Sequence, residues 1–392
     1  MFAQFARLRK LIAWLLFVPL MLALAGCLGG VPLVGNGPSI NTRAPVPVAL
    51  LVPIGSADGN EQKLAQDLEN AARLASSDLS GVQIDLRVYP TAGSPTKAQE
   101  AAQQAVSDGA KIIIGPLRAE SATAAAQAAA GRGVNVLAFS NNSAIAGGNL
   151  FVLGQTFDST ANRLMNYAVS QGKGRVLTVY ANTNTGRVGK VAIDRAIAAN
   201  GATSAGSVSY EFSQQAVINS VTNIRDTARS NQANAVFFTA NTAGALPLFT
   251  QMLPEAGVDP AETQFIGRAR WDTPPHTLEL PGVQGGWFAL PDPQRNAQFR
   301  SRYEAAYGNP PHALAGLAYD GIAAVGALVS SGKSDALTTS ALTQPAGFQG
   351  VNGVFRFMPD GTNERALAVA TVDNKEVVVI SPAPTSFGAP GL

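Results

Sequence analysis

From residue 46 the chain alternates short apolar runs with longer stretches of helical period, and it does so twice. That alternation restricts the fold to parallel sheets with helices packed on their faces. The run Val46–Val52 (VPVALLV) has the form of a buried strand. Residues 60–77 follow, with Leu64, Leu68, Ala71, Ala72 and Leu74 at helical spacing. Residues 82–89 place Val82, Ile84, Leu86 and Val88 on one face, the two-residue period of a strand. A helix over 94–107 is opened by Ser94-Pro95. Strands at 111–114 and 134–139 flank a helix at 119–130. A second round predicts helices at 157–170, 185–200, 216–230 and 243–256, with strands at 175–180, 204–212, 235–239 and 264–267. A strand at 285–290, helices at 297–307 and 313–329, and three hairpin-like strands at 353–357, 366–372 and 376–380 complete the pattern.

The predicted class is α/β, with two Rossmann-like lobes. The first takes 46–155 plus 285–340, and the second takes 156–284 plus 341–381. Residues 382–392 read as a loose tail. In parallel sheets, ligands sit at the carboxyl ends of the strands, so the loops there hold the candidate site residues. Ser140, Asn141, Asn142 and Ser143 offer two hydroxyls and two amides in four residues. Asn182–Gly186, with Thr185, and 239–242, with Asn241, follow strands and precede helices in the same way. Arg268, Arg270, Trp271 and Asp272 follow the strand that ends at Gly267 and offer charge beside an aromatic face. Capping and turn formation explain the Ser, Thr and Asn residues equally well. Tyr319-Asp320 lies on a helix, facing either the cleft or a neighbouring element.

Ahead of the alternating region, Arg7, Arg9 and Lys10 precede an uncharged apolar run over 11–25, the layout of a signal peptide over 1–26. Leu24-Ala25-Gly26-Cys27 resembles the bacterial lipobox. The resemblance implies a diacylglyceryl thioether on Cys27 and a lipid anchor in the cell envelope. Leu28 after the cysteine resembles the outer-membrane sorting pattern. Residues 28–45 are rich in Gly and Pro and read as a flexible tether, about 60 Å long when extended.

The formal net charge is +2, but the leader holds three bases and no acid, and without it 25 bases face 26 acids. That balance excludes a polycation seeking nucleic acid. Cys27 is the one cysteine, so no internal disulfide forms, and His276 and His312 have no zinc-site spacing. No metal or cofactor is expected. An enzyme is not expected either. No G-x-S-x-G elbow occurs, and Gly332-Lys333-Ser334 lacks the P-loop's first glycine, since Ala327 stands there.

The order of Val48–Val52, Asp108–Leu117, Val134–Ser143 and Ala318-Tyr319-Asp320-Gly321 resembles type I periplasmic binding proteins of the Leu/Ile/Val-binding branch, over about residues 46–380. The resemblance implies two lobes joined by three crossings and closing on a ligand by hinge bending, for ABC transport of a small, amino-acid-like solute. It places a displaced family serine at Ser121 and the family's polar run at Ser140–Asn142. Family aromatic positions fall near Thr185 and Asn241. The family's ammonium-binding acid falls near Ala269, with Asp272 close by and Arg270 between them. The same fold resembles the carboxyl-terminal part of lipoprotein activators of penicillin-binding proteins, where it serves as an interaction module. The implied partners are therefore a small polar ligand and a permease, or alternatively a penicillin-binding protein, together with the membrane through the anchor.

Overall fold

The computed structural model describes residues 37–387. Cys27, the expected leader and the last residues of the tail lie outside that range. The first sheet is parallel throughout. It comprises β1 (Val46–Val52), β2 (Ile84–Pro90), β3 (Ile112–Ile114), β4 (Asn135–Ala138) and β5 (Leu150–Val152), in the order β2-β1-β3-β4-β5. Helix α1 (Gly59–Asp78) starts where the Asp58 carboxylate accepts from the Asn60 N–H at 2.8 Å. Helices α2 (Pro95–Ser107) and α3 (Ala119–Ala130) meet through alanines spaced three and four apart, Ala98, Ala101, Ala102 and Ala105 against Ala122, Ala125, Ala126 and Ala129. Such small side chains let two helices and a sheet approach closely.

The second sheet has seven strands. After α4 (Phe157–Ser170) come β6 (Arg175–Ala181), α5 (Asn184–Ala199), β7 (Thr203–Tyr210), α6 (Gln214–Ser230), β8 (Ala235–Phe238), α7 (Leu246–Glu255), β9 (Gln264–Gly267) and β10 (Trp287–Leu290). Alternate strand residues serve opposite faces. Val176, Phe237 and Ile266 pack under α4 and α5, while Leu177, Phe238 and Phe265 pack under α6 and α7. The chain then returns to the first lobe as α8 (Pro293–Tyr307), α9 (Ala315–Val329) and α10 (Thr339–Leu342). A small antiparallel sheet follows, of β11 (Phe348–Gly350), β12 (Gly353–Phe357) and β13 (Asn363–Arg365). Strands β14 (Ala368–Asp373) and β15 (Glu376–Ser381) close the second sheet, in the order β15-β14-β10-β9-β8-β6-β7.

Two lobes are therefore present, and the chain crosses between them after Leu153, after Leu290 and after Arg365. Strand β10, expected with the first lobe, instead pairs with β9 and β14 of the second. Residues beyond 340, expected in the second lobe, return Phe348, Phe355 and Phe357 to the first core. Part of the expected tether is docked as well. The Ile40 N–H donates to the Ser334 carbonyl at 2.8 Å, and its side chain is buried. A Cβ on Gly37 would fall 2.7 Å from the Leu337 oxygen. The start of the tail is also held rather than loose: Arg163 on α4 donates to the Pro382 carbonyl, and Arg356 lies over the Phe387 ring.

A buried polar cluster ties the three crossings together. Arg365 Nη1 meets Asp320 Oδ2 at 2.9 Å, with side chains 3% and 0% exposed. Arg365 also donates to the Leu153 carbonyl through Nε and Nη2, at 3.0 and 2.6 Å. Asp320 accepts from the Val351 N–H at 2.8 Å. Asn352 reaches Asp320, and its carbonyl accepts from the Asp292 N–H at the second crossing. Asp320 thus faces this cluster and not the cleft. Its neighbour Tyr319 donates to Asp78 on α1.

Candidate functional site

On the first lobe, the carboxyl ends of β1 and β3 present one linked group. Ser56 Oγ donates to Glu61 Oε2 at 2.7 Å, and Arg118 Nε donates to Glu61 Oε1 at 2.8 Å. Ser121 lies in the first turn of α3, almost fully buried, with no hydrogen-bond partner for Oγ among the described residues. Ser140 is 6% exposed, and its Oγ accepts from the Asn142 N–H at 3.2 Å. Asn141 is exposed. Asn142 is also exposed, but its Oδ1 accepts from the Ala144 N–H at 3.0 Å and caps the short 3-10 turn Ser143–Ile145. Gly154, at the first crossing, passes so close to this loop that a Cβ would sit 2.5 Å from the Ser140 oxygen.

On the second lobe, Thr185 is exposed in the first turn of α5, and the cap of that helix is Thr183, whose Oγ1 accepts from the Gly186 N–H at 3.1 Å. Asn241 is exposed, and its carbonyl receives the Gly244 and Leu246 N–H groups, which delays α7 from the expected 243 to Leu246. Arg270 and Asp272 form an ion pair, with Nε to Oδ1 at 2.8 Å. Trp271 offers no aromatic face to a ligand, because it is fully buried and stacked 6.3 Å from Phe288.

Two cavities touch both lobes. One, of about 770 Å³, runs between the 143–146 segment, the starts of α4 and α5, and 360–363. Across it Ser143 Oγ donates to Asp158 Oδ2 at 2.9 Å, and Arg195 reaches Asp158 Oδ1 at 3.2 Å. The other, of about 590 Å³, lies between α8, Val377, Val379 and the Arg270–Asp272 pair. Of the sequence-predicted residues, Arg270 and Asp272 line this second cavity. Asn142 precedes the wall residue Ser143 of the first, Thr185 lies two residues before its wall residue Arg187, Asn241 flanks a third cavity on the second lobe, and Ser121 is turned inward.

The residues walling the larger groove, Asp158, Arg187, Val188, Val191 and Arg195, were not singled out from sequence, because helical period alone does not say which turn of α4 or α5 faces the other lobe. From sequence, Arg268 is one charge of the loop that follows Gly267. Its guanidinium in fact lies 3.8 Å over the Phe157 ring, and burial pulls its pKa down to about 10.

A family profile described as periplasmic binding protein matches residues 45–376, most of the chain and all of both sheets' parallel strands. The chain belongs to the periplasmic binding protein family. Solved structures with the same fold include a branched-chain amino acid ABC transporter periplasmic ligand-binding protein from Burkholderia xenovorans LB400. It has TM-score 0.66 and 17% identity over 86% of this chain and 96% of that one. An ABC transporter substrate-binding protein from Desulfitobacterium hafniense in complex with Leu has TM-score 0.61 and 18% identity, over 86% and 100%. A solute binding protein of an ABC transporter from Rhodopseudomonas palustris BisB5, in complex with 3,4-dihydroxybenzoic acid, has TM-score 0.58 and 19% identity, over 88% and 98%. At that identity the likeness carries the fold and leaves the ligand open. No curated protein matches the sequence. All three of these neighbours are ligand-, substrate- or solute-binding proteins of ABC transporters.

Proposed function

We propose that this periplasmic binding protein is a lipid-anchored solute receptor, holding a small polar ligand between its lobes for delivery to an ABC permease. The observation that carries this reading is the groove of about 770 Å³ walled by both lobes beside the first and third crossings. A cavity that spans two bodies on a triple hinge changes volume when they move, so a ligand bridging it couples binding to closure. The site residues proposed are Ser140, Asn141, Asn142 and Thr185 beside this groove and Arg270 and Asp272 at the second cavity, with Ser121 and Asn241 further back.

A solute present at about a hundred times its Kd stabilises the folded state by about 2.7 kcal/mol, or roughly 5 °C in melting temperature. Thermal melts against a solute panel are expected to show a shift of that size. A flat response across amino acids, aromatic acids and neutral analogues would count against a receptor.

One observation favours the second reading, a lipoprotein activator of a penicillin-binding protein. Phe212 is 71% exposed beside a cavity lined by Tyr210, Val217, Ala245 and Leu248, an apolar feature suited to a protein partner. Crosslinking and pull-down from native envelopes separates the two: permease subunits alone support the receptor, and a penicillin-binding protein alone supports the activator. Either role uses an anchor at Cys27, with the outer membrane favoured by Leu28. Mass spectrometry of the native amino terminus is expected to find Cys27 first and acylated. An unmodified Cys27, or cleavage elsewhere, removes the anchor from both readings.

A further inference from the structure

The strands of the first sheet are parallel and start at one end, away from the second lobe, which joins at the carboxyl end of β5. Three neighbouring strands are each preceded there by a basic residue: Arg43 before β1, Lys111 before β3 and Arg132 before β4. Lys333 joins them, because the carbonyl of its neighbour Ser334 accepts from the Ile40 N–H. Arg43, Arg132 and Lys333 are exposed, and Lys111 is partly so. None of these four side chains makes a hydrogen bond or ion pair among the described residues. Every other described lysine and arginine has a carboxylate, amide or carbonyl partner.

Helices α2 and α3 also end here, and a cation near a helix's carboxyl end offsets its partial negative charge. The corresponding end of the second lobe shows that use. There Lys173, Arg175 and Arg229 donate to the carbonyls of Glu262, Asn231 and Gly257 at 2.7, 2.5 and 3.1 Å. The four bases of the first lobe make no such bonds. The acids near them are already engaged, Asp78 by Arg302 and Tyr319 and Asp108 by Tyr89 and Gln104, which leaves Asp335 open among the described residues. A local excess of positive charge therefore sits on a chain that is close to neutral as a whole. The chain also enters the folded body at this end. Gly37 lies so close to Leu337 that a Cβ would fall 2.7 Å from its oxygen, and Gly133 adjoins it. From Gly37 back to Cys27 the chain spans at most about 35 Å.

We infer that this end of the first lobe is a docking face for an anionic phospholipid surface, and that it rests on the membrane holding the anchor while the second lobe stands away. The placement rests on the proposed anchor at Cys27; the binding of lipid phosphates does not. Two observations name the occupant. The free cations complement headgroup phosphates, and the short span to Cys27 holds this end near the bilayer. Strand β1 separates the face from the interlobe grooves by seven residues, roughly 20 Å or more. The grooves therefore stay clear of the headgroups and open to solute.

The test uses the chain from Leu28 onward, which keeps every described residue and carries no acyl group. Its co-sedimentation is measured with vesicles of phosphatidylcholine alone and with phosphatidylglycerol added. At low salt it is expected to partition roughly a hundredfold more strongly onto the anionic vesicles, and to lose most of that preference at high salt. Arg43→Gln, Lys111→Gln, Arg132→Gln and Lys333→Gln together are expected to abolish the preference and to melt close to the parent, since no bond is lost. Lys97→Gln, Arg225→Gln, Arg229→Gln and Lys375→Gln together change the net charge equally and are expected to keep it. In the lipidated protein held in anionic vesicles, a dye at Ser331→Cys is expected to transfer energy to labelled headgroups more efficiently than one at Ser230→Cys on the second lobe. Equal partition onto both vesicles, a preference that survives the first set of substitutions, or an equal loss in the second set overturns the docking face. Capture by peptidoglycan without capture by either vesicle does so too. More efficient transfer from the Ser230→Cys dye overturns the placement. An unmodified Cys27 also overturns the placement, by removing the anchor, and co-sedimentation still decides the docking face.

Discussion

Replacing Arg365 by methionine is expected to destabilise the protein by about 3–5 kcal/mol, the usual effect of breaking a buried ion pair from one side. The reason is what stays behind. Asp320 is completely buried, and losing its 2.9 Å partner leaves only the Val351 N–H and a long contact from Asn352. The Leu153 carbonyl loses two donors at the same time. Burial pushes the Asp320 carboxyl above its ordinary range, and Arg365 opposes that push. In Arg365→Met the opposition is gone, so the folded-state pKa rises further above the unfolded value. A group raised in this way favours folding below its unfolded pKa and loses that contribution as pH rises through the folded pKa. The deficit of the variant should therefore be larger at pH 8 than at pH 5. Urea unfolding at both values checks this. A loss under about 1 kcal/mol, or a deficit that grows on acidification, contradicts it. Adding Asp320→Leu to Arg365→Met is expected to recover part of the loss, since an apolar pair leaves no stranded charge. Because the pair also touches the first and third crossings, the single variant should loosen the hinge as well as the core.

How far the sequence reveals this structure depends on the range of the interaction. Strands β1 to β4 of the first sheet and the alanine seams of α2 and α3 were legible, since their burial patterns are local and periodic. Strand β10 has the right local pattern, but its lobe is decided by pairing with β14, some eighty residues further on. Neither the three-residue strand β5 nor β13 carries enough period to be read. The site shows the same division. Loop positions at strand ends followed from topology, whereas the use of each side chain did not. Asn142 caps a turn, Arg270 and Asp272 neutralise each other, and Thr183 rather than Thr185 caps α5. Arg268 did carry a signal: two residues beyond the inward-facing Ile266, a charged residue falls on a core-directed position.

Removing the Trp271 side chain is expected to have an effect of similar size, about 3–5 kcal/mol for Trp271→Ala. The indole is fully buried, and two glycines shape its slot. A Cβ on Gly267 would fall 1.9 Å from Nε1, and one on Gly286 would fall 1.6 Å from Cζ3. Both backbones stand in parallel strands or just ahead of them, so the slot cannot collapse easily when the ring is removed, and a void remains beside Phe288. The indole N–H has no acceptor among the described residues, so little hydrogen bonding is lost with it, and the effect is one of packing. Trp271→Phe keeps part of the volume and should lose less than half as much. Gly286→Ala attacks the same slot from the other side and should cost about 1–3 kcal/mol by overpacking. The functional consequence follows from position. Trp271 lies between Arg270 and Asp272 and three residues after Arg268, so it pins the loop that carries all three. In Trp271→Ala, solute affinity should therefore fall together with stability, whereas in Arg365→Met stability falls while this loop is untouched. Chemical denaturation measures the first quantity and calorimetry the second. A Trp271→Ala protein that unfolds within about 1 kcal/mol of the parent would show that the indole is not what holds this loop.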